Sequence, residues 1–127
     1  MKGAANMDEV IYAYSRAQAI EDGELVDVTS TAEEDGFVFP VALTSAAWVR
    51  YVQVPPKVTT QDELGRLRSV LQQLRLAMNS GKWGSEIHFC VFVHMEDYFS
   101  LLVELKAHCG PGDDGEPVVT VMLPGED

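Results

Sequence analysis

Residues 60–80 repeat apolar side chains at helical spacing, and after Ser80-Gly81 the repeat shortens to every second residue. That change of period constrains the fold more than any other feature of the chain. Leu64, Leu67, Val70, Leu71, Leu74, Ala77 and Met78 fall on one face of a helix, with Arg66, Ser69, Gln72 and Gln73 on or near the other. Thr60 reads as the N-cap, and Glu63 three residues later completes a capping box. Ile87, Phe89, Val91 and Val93 then alternate with His88, Cys90, Phe92 and His94, as on a strand with two unlike faces. Met95-Glu96-Asp97 reads as a hairpin. Tyr98 to Lys106 reads as the returning strand, with Leu101, Val103 and Leu105 opposite Leu102, Glu104 and Lys106. Gly110 to Pro117 is rich in turn formers, and Val118 to Leu123 follows as a third strand. The expectation is an α+β fold in which a C-terminal three-stranded antiparallel meander packs against one long amphipathic helix.

Upstream, the elements are shorter. Ser15 can cap a helix running to Asp22, with Gln18 at the capping-box position and Gly23 at the exit. Leu25-Val26-Asp27-Val28 alternates like a brief strand, and Thr31 to Gly36 reads as an acidic helical turn. Phe37 to Leu43 is extended, with Pro40 suited to an edge or a strand end. Thr44 can cap a helix from Ser45 to about Val52, and Val54-Pro55-Pro56 stops it. Residues 1–13 read as a flexible N-terminal segment, with Val10-Ile11-Tyr12 as a docking point. Residues 14–127 read as a single α+β domain with short N-terminal helices and strands.

Charge is distributed unevenly. Residues 1–40 hold nine acids against Lys2 and Arg16, residues 41–110 hold six acids and seven bases, and residues 111–127 hold five acids and no base. The formal net charge is -11. Such a field repels nucleic acid and anionic membranes and attracts basic protein surfaces. Hydrophobic residues make up 46% of the chain, too many for a disordered acidic tail. The longest strongly apolar run, Phe89 to Val93, is far too short to cross a bilayer. No basic start followed by an apolar segment opens the chain, so no secretory signal is expected. Two cysteines, Cys90 and Cys109, are too few for a disulfide framework and fit a reducing cytoplasm.

Chemistry-bearing constellations are weak. His88, Cys90 and His94 share one strand face, but residues two apart lie about 6.6 to 7 Å apart along a strand. Zinc would need bending and ligands such as His108 and Cys109, and the spacing matches no common zinc motif. Cys109 beside His108 points to the opposite strand face, a poor arrangement for an activated thiol. Asp113-Asp114-Gly115-Glu116 resembles a calcium loop in composition but lacks its alternating ligands. There is no phosphate-binding loop, dinucleotide fingerprint or nucleophile elbow. Arg66, Arg68 and Arg75 on the long helix are too few to bind nucleic acid against the global charge. Trp48 and Trp83 read as packing anchors. No enzyme activity, cofactor or metal is expected.

Several segments together carry a resemblance: Tyr14 to Gly23 with Leu25-Val26-Asp27-Val28; Gly36-Phe37 running into Phe39 to Thr44; Gln61-Asp62 with Gly65-Arg66-Leu67; and Gly110 to Pro117 with Met122-Leu123-Pro124. The chain resembles a family of short bacterial proteins of no assigned function, often carried on plasmids, phages and other mobile elements. Arg68-Ser69 and the acidic Met95-Glu96-Asp97 turn depart from that family's pattern. The resemblance implies company with proteins that disable host defences, some of them by imitating nucleic-acid charge.

The functional expectation is an acidic, non-enzymatic, cytoplasmic binding protein of a mobile element. It would engage a basic protein surface on a host nuclease or CRISPR nucleoprotein complex, in anti-restriction or anti-CRISPR fashion. The partner-binding candidates are Glu33, Glu34, Asp35, Asp113, Asp114 and Glu116, the densest acids in loop-like settings. The alternative is a dimeric structural or accessory module of plasmid or phage maintenance, joined through an edge strand or apolar patch. Monomer and homodimer both remain open, with no direct nucleic-acid or membrane contact expected.

Overall fold

The computed structural model describes residues 14–80 and 84–126. The N-terminal segment 1–13, Gly81 and Trp83 lie outside the described residues. The elements are α1 (Arg16–Glu21), β1 (Leu25–Asp27), α2 (Thr29–Glu34), β2 (Val41–Thr44), α3 (Ser45–Ala47) continued by one π-helical turn (Trp48–Val52), α4 (Glu63–Asn79), β3 (Glu86–Glu96), β4 (Phe99–Pro111) and β5 (Pro117–Met122).

Local chemistry sets several of these boundaries. The Ser15 hydroxyl accepts the Gln18 N–H at 3.0 Å and opens α1, and Gly23 leaves it with a positive φ of 82°. The Thr44 hydroxyl accepts the Ala47 N–H at 3.2 Å and opens α3. The π-turn closes where Gln53 N–H reaches Trp48 O at 2.8 Å, five residues back.

The sheet has five strands in the order β1-β2-β5-β4-β3. The expected three-stranded sheet is therefore too small. β3 with β4 and β4 with β5 pair antiparallel, while β2 runs parallel to β5 in the register Val41↔Val119 and Leu43↔Val121. β1 then adds antiparallel to β2. Val41, Ala42 and Leu43 are all buried, the continuous apolar run of a strand covered on both faces. Four residues carry too little period to declare a partner so remote in sequence.

α4 lies over β3, and α2 packs against both α4 and β2. Leu67, Val70, Leu71 and Leu74 join Phe89, Val91, Val93, Val103, Leu105, Val119 and Val121 in one buried cluster. Two helix expectations need correction. The N-cap is Asp62, whose carboxylate accepts the Gly65 N–H at 2.7 Å, and not Thr60. The preceding segment is held elsewhere: Thr59 donates its N–H and its hydroxyl to Asp97, each at 2.6 Å. Arg66, expected on the polar face, is buried at 4% exposure, while Leu64 is about half exposed. The Arg66 guanidinium crosses to other elements, donating to Tyr51 O at 3.1 Å, Gln61 Oε1 at 3.0 Å and His94 O at 2.9 Å. An arginine that gathers carbonyls from separate elements is buried for its hydrogen bonds, a role that helical periodicity does not display.

Candidate functional site: an acidic end around Arg16

The turn between β4 and β5 is closed by its own backbone. Gly112 N–H reaches Glu116 O at 2.6 Å, and Gly115 adopts a φ of 85° that other residues resist. Within it, a Glu116 carboxylate oxygen accepts the Asp114 N–H at 3.0 Å. Asp113 turns the other way. Its carboxylate accepts the Arg16 N–H at 2.7 Å and the Ala17 N–H at 3.0 Å, two of the unpaired donors at the start of α1. These backbone hydrogen bonds hold its carboxyl below the usual carboxylate range.

Arg16 sits on the sheet face opposite α4. Its guanidinium donates to the Thr120 hydroxyl at 2.6 Å and to Val119 O at 2.9 Å. Thr120 alternates with the core residues Val119 and Val121 and so projects from the other face. Partial burial lowers the Arg16 pKa, and Asp27, Asp113 and Glu116 oppose that shift from close range. Beside them, the Tyr14 hydroxyl donates to Asp22 at 2.7 Å, which pushes its pKa up to about 12. A hollow of about 420 Å³ lies between α1 and the turn, with Tyr14, Arg16, Glu24, His108, Asp113 and Thr120 among its lining. Acids from the first third of the chain and from its last turn thus meet around one arginine.

The structure separates the two groups of sequence-predicted acids. Asp113, Asp114 and Glu116 belong to this end. Glu33, Glu34 and Asp35 lie on α2 and at its exit, on the core side of the sheet beside α4. There Arg68 pairs with Glu34 at 2.7 Å, and Arg75 donates to Asp35 O. The groove between α2 and α4, about 640 Å³, is therefore lined by both signs of charge. Asp22, Glu24 and Asp27 are the acids that sequence reasoning missed. Asp22 and Glu24 lie in the turn after α1 and Asp27 ends β1, and only the placement of Arg16 beside Asp113 groups them with the last turn.

The other candidates sit apart. His88 is held between Glu86 at 2.9 Å and Glu104 at 2.8 Å, and these two hydrogen bonds raise its pKa. Cys90 is exposed, while Cys109 is half-buried, and burial pushes its thiol up. His108 is exposed beside Cys109, which packs against the core. Among the described residues, no group of three or more His, Cys, Asp or Glu side chains is placed to hold a metal ion. Among the same residues, no helix is long and apolar enough to cross a membrane.

A family model described as a family of unknown function, DUF6573, matches residues 1–127. The chain belongs to the DUF6573 family. No curated protein and no solved structure matches it. For a DUF6573 chain, then, the chemistry of the surface is the guide to what it does.

Proposed function

We propose that this DUF6573 protein is a non-enzymatic binding protein that engages a basic protein surface through the acidic end around Arg16. The observation that carries this reading is the convergence there of Asp22, Glu24 and Asp27 with Asp113, Asp114 and Glu116, all of them exposed. Two roles separate within the group. Asp113 is engaged by the start of α1 and anchors the end. Asp27 holds Thr29 and Glu116 holds the Asp114 N–H through one carboxylate oxygen each, and the other oxygens of Asp27 and Glu116, with the carboxylate of Asp114, are those to which arginines of a partner can make charge-assisted hydrogen bonds. The acids of α2 contribute less, because Arg68 and Arg75 already stand beside Glu34 and Asp35.

The mobile-element context implied by the sequence resemblance makes a host defence nuclease or CRISPR nucleoprotein complex the partner class, acting in the cytoplasm. Carboxylates would there occupy a surface built for phosphate. The test compares the parent with an Asp27→Asn, Asp114→Asn, Glu116→Gln variant. Plasmid protection against restriction and CRISPR interference is measured in cells, and binding to the purified complexes is measured across salt concentrations. The reading expects binding that weakens with salt and a slower association rate for the variant. Equal protection and equal binding by parent and variant would remove the acidic end from the function.

A further inference from the structure

Arg66 carries a buried guanidinium among α4, the π-helical turn and β3. A guanidinium has five N–H donors. Three are engaged here: Nε by Tyr51 O, and Nη1 by Gln61 Oε1 and His94 O. The two N–H groups of Nη2 remain, and this nitrogen is buried with no acceptor among the described residues. The three acceptors already engaged are neutral. Burial lowers the Arg66 pKa, and no carboxylate among the described residues opposes that shift. Arg16 is the contrast, since Asp27, Asp113 and Glu116 stand close to it. A buried charge is ordinarily paired, because the interior solvates an isolated ion poorly. Beside Arg66 lies a cavity of about 10 Å³, with Tyr51, Gln61, Ser69, Val70, Val91 and Val93 in its lining. That is room for an occupant the size of one water, which needs about 10 to 15 Å³. Among the described residues, Arg66 is the only charged one in that lining.

We infer that Arg66 Nη2 and this cavity form a binding site for one monatomic anion, chloride in a cell, which serves as counter-ion to the buried guanidinium. Three observations select this occupant. The first is charge: the guanidinium lacks a carboxylate partner among the described residues, and attraction in a site of low dielectric exceeds that at the surface. The second is size: sulfate, phosphate or the carboxylate of another chain spans several atoms and exceeds the cavity. The third is hydrogen bonding. A water on Nη2 has to hand its own protons to acceptors. Gln61 is engaged at both ends of its amide, by Arg66 Nη1 and by His94 Nδ1 at 3.0 Å, and the Ser69 hydroxyl donates to Gly65 O at 3.2 Å. An anion only accepts, and it leaves those bonds as they are. Bound there, it neutralises a charge on which the π-turn, α4 and β3 all converge. The inference goes beyond the proposed function and stands independently of it.

The test is thermal unfolding of the full chain in sodium chloride and in sodium gluconate at matched ionic strength. An ion that binds only the folded state raises the melting temperature with the logarithm of its concentration, by about 5 °C per tenfold for a chain of this length once the site is filled. Chloride should give this increment over gluconate, which is too large for the cavity, and bromide should replace chloride. Arg66→Met supplies the baseline for general salt effects and should lose the increment, with circular dichroism reporting whether it folds. A second readout needs no variant. Crystals of the parent grown in sodium bromide should show an anomalous scattering peak within hydrogen-bonding distance of Arg66 Nη2. No chloride increment in the parent would overturn the inference and leave Nη2 to a water. An equal increment in the parent and in folded Arg66→Met would overturn it too, as would bromide crystals with no peak at Nη2.

Discussion

The two ends of the sheet present opposite surfaces. At the β1 end, α1, Asp27 and the β4–β5 turn collect carboxylates around Arg16, and even the helix start is capped by an acid, Asp113. At the β3 end, Glu86 and Glu104 close on His88, and Phe92 and Leu102 stand in solvent beside them. Both ends rest on one buried cluster that spans β2, β5, β4 and β3. The contrast teaches that a net charge read over the whole chain hides two surfaces. One draws acids from remote segments around an arginine, and the other sets a histidine held by two glutamates beside exposed apolar side chains.

The largest expected effect strikes both ends at once. Leu71 is fully buried, and Leu71→Ala should cost about 2 to 5 kcal/mol in denaturant unfolding, the range for emptying a core leucine. An unfolding midpoint that stayed fixed would show that the two ends do not share this core.

Arg66 tests the β3 end alone. Arg66→Lys cannot reproduce the forked contacts to Tyr51 O, Gln61 and His94 O. It should destabilise by about 1 to 3 kcal/mol, the cost of leaving buried acceptors unpaired. An unchanged unfolding curve would show that the guanidinium is dispensable there.

Protonation separates the ends more gently. Asp113 has a depressed carboxyl pKa, so its contribution is present above the ordinary aspartate value of about 3.9 and is lost as pH falls through the folded value. Asp113→Asn should lower the melting temperature at neutral pH and remove that part of the acid dependence. At the other end, His88 has a raised pKa. Its contribution is present below the ordinary histidine value of about 6.5 and fades as pH rises through the folded value. NMR titration should find His88 above that reference, and Glu86→Gln with Glu104→Gln should bring it back. A His88 titration that ignores these substitutions would break the assignment.

The smallest effect is on stability at the acidic turn. Asp114→Asn with Glu116→Gln should leave the melting temperature almost unchanged, because exposed charges contribute little to folding. A clear drop would mean that the turn is structural and not a contact surface.

How much of this was legible in the sequence depends on the range of the interactions. The Ser15 cap, the Gly23 exit and the alternation from Ile87 to Val93 are set by neighbours within a few residues, and they can be read directly. Pairings across the chain cannot. The parallel match of β2 with β5 has no local signature, and neither has the reach of Asp97 to Thr59 that leaves Asp62 to cap α4. Arg66 looked like a surface residue because helical phase reports where a side chain starts and not which carbonyls its end finds. The candidate site was half visible. Asp114 and Glu116 stood out in a long turn, whereas Asp22, Glu24 and Asp27 border a short helix and strand, and nothing local reports their distance from the last turn.

The position of β5 has a consequence for how the chain is made. It leaves the ribosome after both strands it joins, yet it lies in the middle of the sheet, between β2 and β4. Until it emerges, the nascent chain holds two separate strand pairs, β1 with β2 and β3 with β4, each exposing an edge that β5 will later cover. Remote pairing of this kind folds slowly and leaves strand edges open to misassociation. Translation speed and chaperone access between the emergence of β4 and that of β5 should therefore govern the yield of folded protein more than either would in a sheet built in chain order.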